Sequence, residues 1–306
     1  MKQTEDNSWE AIKKNRQLIL MFLPCAIFFI IFQYVPMGGI VIAFKDYSMR
    51  HGIIDSPWVG LDHFQTLFSG NDFIDVLRNT ILISLLKLFF GFGAPIVLAL
   101  LLNEVRLFFF ARSIQTLSLL PHLFSWVILA GIFRLIFANS GPVNELLTML
   151  GKESPVTWLT NDSWFIVILI STEVWKGVGY GAIIYLASIS GIAPDLYEAA
   201  SIDGANRWQQ VLHVTLPQLR PTIVTLLILS MGNILSAGFD QIFNMYNPLV
   251  YDVSDIIDTY VLRQLMAMRF EVATAASIFT GVVSLLMIVT TNKIANKLSD
   301  GKEGLY

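Results

Sequence analysis

Residues 79–102 read NTILISLLKLFFGFGAPIVLALLL and decide the class of fold, because Lys87 is the single charged residue among them. A helix needs about 20 mostly apolar residues to cross about 30 Å of hydrocarbon, so this stretch predicts a transmembrane helix. Five further stretches have the same character: Leu18–Phe44, Ser113–Ala138, Ser163–Ile192, Pro221–Phe243 and Ala275–Asn296. The sequence therefore predicts an all-α, polytopic membrane protein with six transmembrane helices.

The composition supports a lipid environment and excludes several classes of protein. Of the 306 residues, 55% are hydrophobic and 14% are charged, whereas soluble domains carry about 25% charged residues. The 20 Lys and Arg do not exceed the 23 Asp and Glu, so no basic excess exists to bind nucleic acid. Cys25 is the one cysteine, which excludes an internal disulfide and a Cys-based zinc site.

Charges in the connections indicate the orientation, since Lys and Arg are retained on the cytoplasmic side. With the N-terminus inside, the connections on that side carry eleven Lys and Arg, against six outside. Both termini are therefore predicted to be cytoplasmic, in a multi-pass protein of the plasma or inner membrane. The predicted segments are a cytoplasmic N-terminus, a first helix with its outer loop, a core of five helices and a cytoplasmic tail, at residues 1–17, 18–74, 75–296 and 297–306.

The cytoplasmic connection at residues 193–220 carries helix and turn signals of its own, and its first part reads APDLYEAASIDGANRW from Ala193 to Trp208. Pro194 suits a first helical turn, where a missing N–H costs nothing. Asp203 and Gly204 form a strong turn signal, because glycine adopts a positive φ without strain. A helix that merely joins two spans is one interpretation; a docking surface for another protein is the other.

An apolar face after this turn predicts a second helix, beginning near Trp208. Pro217 and Pro221 are expected to interrupt it before the fifth span. Small side chains at Ala199 and Ala200 beside the Glu198 carboxylate favour the docking interpretation, because a partner can approach closely and recognise one charge.

The segment EAASIDGA at residues 198–205, followed by Leu216-Pro217 and Pro221, resembles the EAA loop of permease subunits of type I ATP-binding-cassette (ABC) importers. Other segments are similar to a carbohydrate-transporting group, the oligosaccharide and polysaccharide permeases that include the lipoprotein-associated and alginate-oligosaccharide types. These segments are QTLSLLPH at 115–122, WKGVGY at 175–180 and GFDQIFNMYNP at 238–248. The resemblance covers nearly the whole chain.

This resemblance implies a transport subunit rather than an enzyme. The EAA loop would be a coupling helix that contacts a separate ATPase, with Glu198 as the charged contact, Ala199 and Ala200 as the close-packing face, and Asp203 and Gly204 as the turn. The implied partners are a second related permease, two ATPase subunits, an extracytoplasmic binding lipoprotein and an oligosaccharide. ATP and Mg²⁺ would bind to the ATPase, and this chain would bind no cofactor and no metal.

The outer loops are the expected docking surface for the binding protein. They comprise residues 58–75 and 247–269, and the second contains Asp252, Asp255 and Asp258. A solvated acidic loop is the alternative interpretation of those three carboxylates.

Ionisable groups at membrane depth are costly and usually face a cavity or a partner; here they are Lys87, Arg134, Glu173, Lys176 and Asp240. Glu173 and Lys176 share a helix face and could neutralise each other. Lys87 is expected to pair with Glu173 or Asp240. Arg134 lies near the end of its span, where it could snorkel to the interface.

Aromatic rings and a polar stripe suggest a sugar pathway, since sugars offer hydroxyl groups and apolar faces. The fifth span is predicted to place Asn233, Ser236 and Asp240 on one stripe. The candidate pathway residues are Trp175, Lys176, Tyr180, Asn233, Ser236, Asp240, Gln241 and Asn244. Hydrogen bonding between helices is an equally weighted alternative for these polar residues.

Two other function classes compete with the importer interpretation. An ion-coupled secondary transporter would use Glu173 and Asp240 as coupling carboxylates, but neither half of the sequence copies the other as in many such proteins. A membrane-embedded enzyme lacks support, because the sequence contains no His-Glu-x-x-His motif. The sequence also contains no phosphate-binding loop, so ATP hydrolysis, if involved, is expected on a partner.

Overall fold

The computed structural model describes residues 15–152 and 154–298, and within these ranges the chain is helical, with one isolated β-bridge between Lys45 and Trp58. The predicted N-terminal segment up to residue 14 and the tail from residue 299 lie outside the described residues. The helices are α1 (Arg16–Phe44), α2 (Gly52–Asp55), α3 (Asp62–Ser69), α4 (Asn71–Glu104), α5 (Phe108–Leu123), α6 (Trp126–Ile136), α7 (Pro142–Met149), α8 (Asp162–Ser190), α9 (Pro194–Ile202), α10 (Arg207–Met231), α11 (Phe239–Met245), α12 (Tyr251–Ser254), α13 (Ile257–Met266) and α14 (Phe270–Leu298).

The prediction of an all-α polytopic protein is confirmed. Helices α1, α4, α8, α10 and α14 are each long and apolar enough to cross a membrane. Helices α5 and α6 pass the same test together, so they bring the number of spans to six if the pair is one span. Apolar side chains cover the outside of the bundle, as expected where the solvent is hydrocarbon.

The third span differs from the straight helix predicted at residues 113–138. Helices α5 and α6 meet at an angle of 101°. The chain is extended at Phe124 and Ser125, which follow a 3₁₀ turn containing Pro121. Ser125 then caps α6 by accepting a hydrogen bond from the Ile128 N–H. The bend is therefore a junction between two separate helices and not a kink within one helix.

The fifth span was also predicted wrongly. Its helix begins at Arg207, runs through both prolines and ends at Met231. A π turn at Val211–Thr215 widens the hydrogen-bond ladder just before Pro217, so the helix continues through that proline. The break occurs instead at Ala237 and Gly238, both in the left-handed region with φ of 47° and 79°.

The centre of the molecule is the contact between α4 and α8, which run side by side. Gly181 of α8 faces Pro95 of α4 so closely that a Cβ would meet the proline ring at 2.8 Å. The backbone of α8 also lies against α5, since a Cβ at Gly179 would overlap the Ser118 carbonyl. Helix α1 lies outside this core, and none of its most apolar 18-residue window is buried.

Candidate functional site: the loop after α8 and the cavity among the spans

The loop after α8 forms the helix, turn and second helix that the sequence predicts. Helix α9 begins with Pro194 in its first turn. It ends in a Schellman turn, in which Gly204 has a φ of +80° and the Ala205 N–H donates to the Ala200 carbonyl at 2.9 Å. The chain can therefore reverse direction at Gly204 without backbone strain.

Side-chain hydrogen bonds hold α9 against α10. Asn206 and Gln209 form a reciprocal capping box at the start of α10. The Tyr197 hydroxyl lies 3.0 Å from the Thr215 hydroxyl. Arg207 donates to Glu104 at 2.9 Å and so connects the loop to the end of α4. Hydrogen bonds therefore link α9 to α10, and the Arg207–Glu104 ion pair links α10 to the end of α4.

The exposed face of the loop combines carboxylates with small and apolar side chains, and Asp195 is exposed one helical turn before Glu198. Glu198 and Ala199 lie on this face. Ile202 and Trp208 are 87% and 69% exposed. A patch of this kind is typical of a surface that another protein covers.

The remaining predicted loop residues lie at the turn. Ala200 is half-buried, whereas Asp203 and Gly204 are exposed. All three line a depression of about 320 Å³, together with Gln209 and His213.

A cavity of about 340 Å³ lies among α4, α8 and the segment after α10, half-way along the spans. Its polar lining consists of Ser84, Lys87, Glu173, Asn233 and Ser236 among other residues. The volume is near the lower end of the range for small-molecule sites, about 300–1,000 Å³.

Lys87 is the centre of the polar network in this cavity. Its Nζ lies 3.5 Å from Glu173 Oε2 and also donates to Gln241 Oε1. Gln241 is fully buried, and its Nε2 donates to the Leu169 carbonyl at 2.7 Å and to Thr172 Oγ1 at 2.9 Å. The lysine thus fixes α11 against α4 and α8. Of the two partners predicted for Lys87, the structure pairs it with Glu173 and not with Asp240.

The helix break separates the polar stripe that the fifth span was predicted to carry. Asn233 and Ser236 line the cavity, whereas Asp240 is exposed on α11, beyond the break. Asn244 donates to the Asp240 carbonyl at 2.7 Å. The stripe prediction fails because Ala237 and Gly238 turn the chain between its members.

The aromatic candidates of α8 lie apart from the cavity. Tyr180 stacks on His122, with ring centroids 4.3 Å apart. Lys176 donates to the His122 carbonyl at 3.0 Å and lies 5.7 Å from the centre of the Trp126 ring. The predicted pairing of Lys176 with Glu173 is therefore replaced by contacts with the bend between α5 and α6.

Trp175 faces a different part of the surface. It is 47% exposed and packs edge-on against Phe133. It also lines an apolar groove between α4 and α8 together with Phe89 and Phe90. Of the predicted pathway residues, the structure thus brings Asn233 and Ser236 to the cavity and places Trp175, Lys176 and Tyr180 elsewhere.

Sequence reasoning missed Ser84. Its Oγ is buried without a hydrogen-bond partner in the described part of the chain, and it lines the cavity. A serine in an apolar helix usually donates to its own backbone, as Thr80 does to the Val76 carbonyl. The sequence pattern therefore carries no signal that would distinguish Ser84.

The acidic residues of the predicted outer loop at 247–269 are partly buried or paired. Asp255 is buried, pairs with Arg263 at 2.7 Å and accepts from the Thr259 hydroxyl. Burial raises the pKa of Asp258, whereas Asp252 is exposed. These three carboxylates therefore do not form one solvated patch.

Comparison with known proteins finds transport permeases that align with nearly the full length of this chain. Among curated proteins, the polygalacturonan/rhamnogalacturonan transport system permease protein YteP of Bacillus subtilis (strain 168) is 43% identical, over 96% of this chain and 91% of that protein. Protein LplB of the same organism is 41% identical, over 98% and 94%.

Solved structures show the same fold. A chain in the crystal structure of a bacterial ABC transporter involved in the import of the acidic polysaccharide alginate is 42% identical, with a TM-score of 0.89 over 96% of this chain and 100% of that chain. Another alginate transporter structure, in complex with an alginate pentasaccharide-bound periplasmic protein, gives a TM-score of 0.89 at 41% identity, over 97% and 99%. Nothing in these comparisons supports the ion-coupled alternative.

The match to a family model agrees with these relatives. The model of the binding-protein-dependent transport system inner membrane component matches residues 91–300. That range includes the EAASIDGA motif and the cavity residues Glu173 and Asn233. It also includes the helix pair α5 and α6 and the spans α8, α10 and α14. The protein belongs to this family and is an integral membrane permease of the ABC importer type.

Proposed function

We propose that the protein moves oligosaccharides or polysaccharide fragments, delivered by an extracytoplasmic binding protein, across the cell membrane. It would act with a second related permease and two ATPase subunits, and both of its termini would be cytoplasmic. Names of the relatives support a carbohydrate cargo, since they refer to polygalacturonan, rhamnogalacturonan and alginate. The polar cavity at mid-membrane supports a pathway for such a cargo.

One observation carries the coupling part of this proposal: α9 presents Glu198 and Ala199 outward, a hydrogen bond joins α9 to α10, and the Arg207–Glu104 ion pair joins α10 to α4. An ATPase that binds this face could move two spans at once. ATP and Mg²⁺ would bind to that ATPase, and this chain would contribute the contact, not the chemistry. Glu198 would receive a charge-assisted hydrogen bond from an Arg or Lys of the ATPase.

The test is a co-purification of this chain and its permease partner with a tagged ATPase. Glu198→Ala should weaken the complex about tenfold or more, because hydrogen bonds to charged groups contribute about 1.5–3 kcal/mol. Gly204→Asp should uncouple transport, because the Schellman turn needs a positive φ at that position.

A matched control exists in Gly151→Asp. Gly151 ends α7 in the same kind of turn, with a φ of +91° and a hydrogen bond from the Lys152 N–H to the Leu147 carbonyl. Both substitutions impose the same backbone strain, but Gly151 lies on the side predicted to be extracytoplasmic. Normal substrate-stimulated ATP hydrolysis in the Gly204→Asp complex would contradict the coupling role, as would equal losses in both variants.

A further inference from the structure

We propose that Lys87 determines specificity in the cavity by binding the carboxylate of an acidic sugar residue, so that the pathway favours uronate-containing oligosaccharides. This inference rests on the proposed function and adds the substrate class. It assigns a ligand-binding role to Lys87 and Ser84 on α4, with Glu173 and Asn233 as the groups that face the sugar hydroxyls.

Two hydrogen-bond donors on α4 have capacity left for a ligand. A lysine ammonium has three N–H donors, and within the described residues Lys87 uses two of them, on Glu173 and Gln241. Ser84 lies three residues earlier on the same helix face, is 5% exposed, and its Oγ has no partner among the described residues. Both side chains line the cavity. A carboxylate can accept from both at once, since its two oxygens offer about four lone-pair sites.

The ammonium is held in place before any ligand arrives. Gln241 is oriented by its own hydrogen bonds to α8 and directs its carbonyl oxygen to Lys87. Gly238 borders the ammonium so closely that a Cβ there would overlap Nζ. A charged group with fixed supports loses little freedom on binding, which is the condition for a selective site.

Glu173 keeps this site weak enough for transport. Its Oε2 is 3.5 Å from Lys87 Nζ, longer than the 2.7–2.9 Å typical of a strong charge-assisted hydrogen bond, and its side chain is 33% exposed. The Glu173 carboxylate can accept hydroxyl protons from the sugar, but it repels the sugar's own carboxylate. A pathway needs such a balance, because a ligand that binds too tightly does not leave.

The test measures equilibrium binding to the permease–ATPase complex in lipid nanodiscs without the binding protein, so that the binding protein's own selectivity does not enter. The probes are trigalacturonate and its methyl ester, which differ in charge but keep the ring hydroxyls. Wild type should prefer the acid. Lys87→Met should weaken binding of the acid about tenfold or more and change binding of the ester little, whereas Lys87→Arg should retain the preference.

Glu173→Gln should change the affinity for the acid in the opposite direction. This variant also tests the inference if the Lys87→Met complex does not assemble. It removes a negative charge and should tighten binding of the acid but not of the ester. Equal affinity of wild type for acid and ester, equal losses for both probes in Lys87→Met, or no gain in Glu173→Gln would overturn the inference. If neither trisaccharide binds to wild type, the inference is overturned; if in addition no saccharide stimulates ATP hydrolysis in the complete importer, the proposed function itself fails.

Discussion

At the scale of single residues, Gly179 allows α8 to approach α5 closely because it has no side chain. A Cβ there would overlap the Ser118 carbonyl, and backbone atoms cannot move aside as a flexible side chain would. Gly179→Ala should therefore lower stability by about 1–3 kcal/mol, as overpacked cores do. Thermal unfolding in detergent measures this change.

Gly177→Ala is the matched control, because it adds the same methyl group to the same helix two residues earlier. A Cβ at Gly177 meets nothing within 4 Å, and alanine favours a helix over glycine by up to about 1 kcal/mol. Its unfolding temperature should equal or exceed that of wild type. A Gly179→Ala protein as stable as Gly177→Ala would show that α5 and α8 are less tightly packed than described.

At the scale of elements, the start of α10 depends on its capping box. Asn206→Ala removes the hydrogen bond from the Gln209 N–H, 2.9 Å long, and caps of this kind contribute about 0.5–2 kcal/mol. Amide hydrogen exchange should then become faster at residues 207–215. A looser loop should also reduce the coupling of ATP hydrolysis to transport.

Asn161→Ala tests whether this effect is local. Asn161 caps α8 in the same way, by accepting from the Trp164 N–H at 3.2 Å, but at the opposite end of that helix. Its loss should leave exchange at residues 207–215 unchanged. Unaltered exchange in Asn206→Ala would mean that packing, rather than the cap, holds the loop.

At the scale of the whole molecule, the proposed orientation places α9 in the cytoplasm and the end of α7 outside. Ile202 and Leu150 are 87% and 82% exposed on these two segments. In a Cys25→Ser background, Leu150→Cys should react with a membrane-impermeant maleimide on intact cells. Ile202→Cys should react only after the membrane is opened; labelling of Ile202→Cys in intact cells would reverse the topology.

Much of the architecture was predictable from composition and pattern alone. The approximate positions of the spans follow from hydropathy, because residues that face hydrocarbon are predominantly apolar. The turn after α9 follows from Asp203 and Gly204, because few residues other than glycine adopt its φ of +80° readily. The segment EAASIDGA predicted an importer permease by resemblance, and the family model that matches residues 91–300 agrees with this prediction.

The site inside the membrane was less predictable. Hydropathy depends on residue type and not on backbone direction. It therefore could not predict the bend at Phe124 and Ser125 or the break at Ala237. Alanine has no local preference for the left-handed region that Ala237 adopts.

By itself, the amino-acid sequence determined the membrane environment, the approximate spans and the loop with its turn, since each depends on local hydrophobicity or on one residue's backbone freedom. Only the tertiary structure decided that Lys87 pairs with Glu173 and Gln241 and that Ser84 has no partner among the described residues. Those contacts join residues up to 154 positions apart. They depend on how α4, α8 and α11 pack, and a local pattern of residues does not encode that packing.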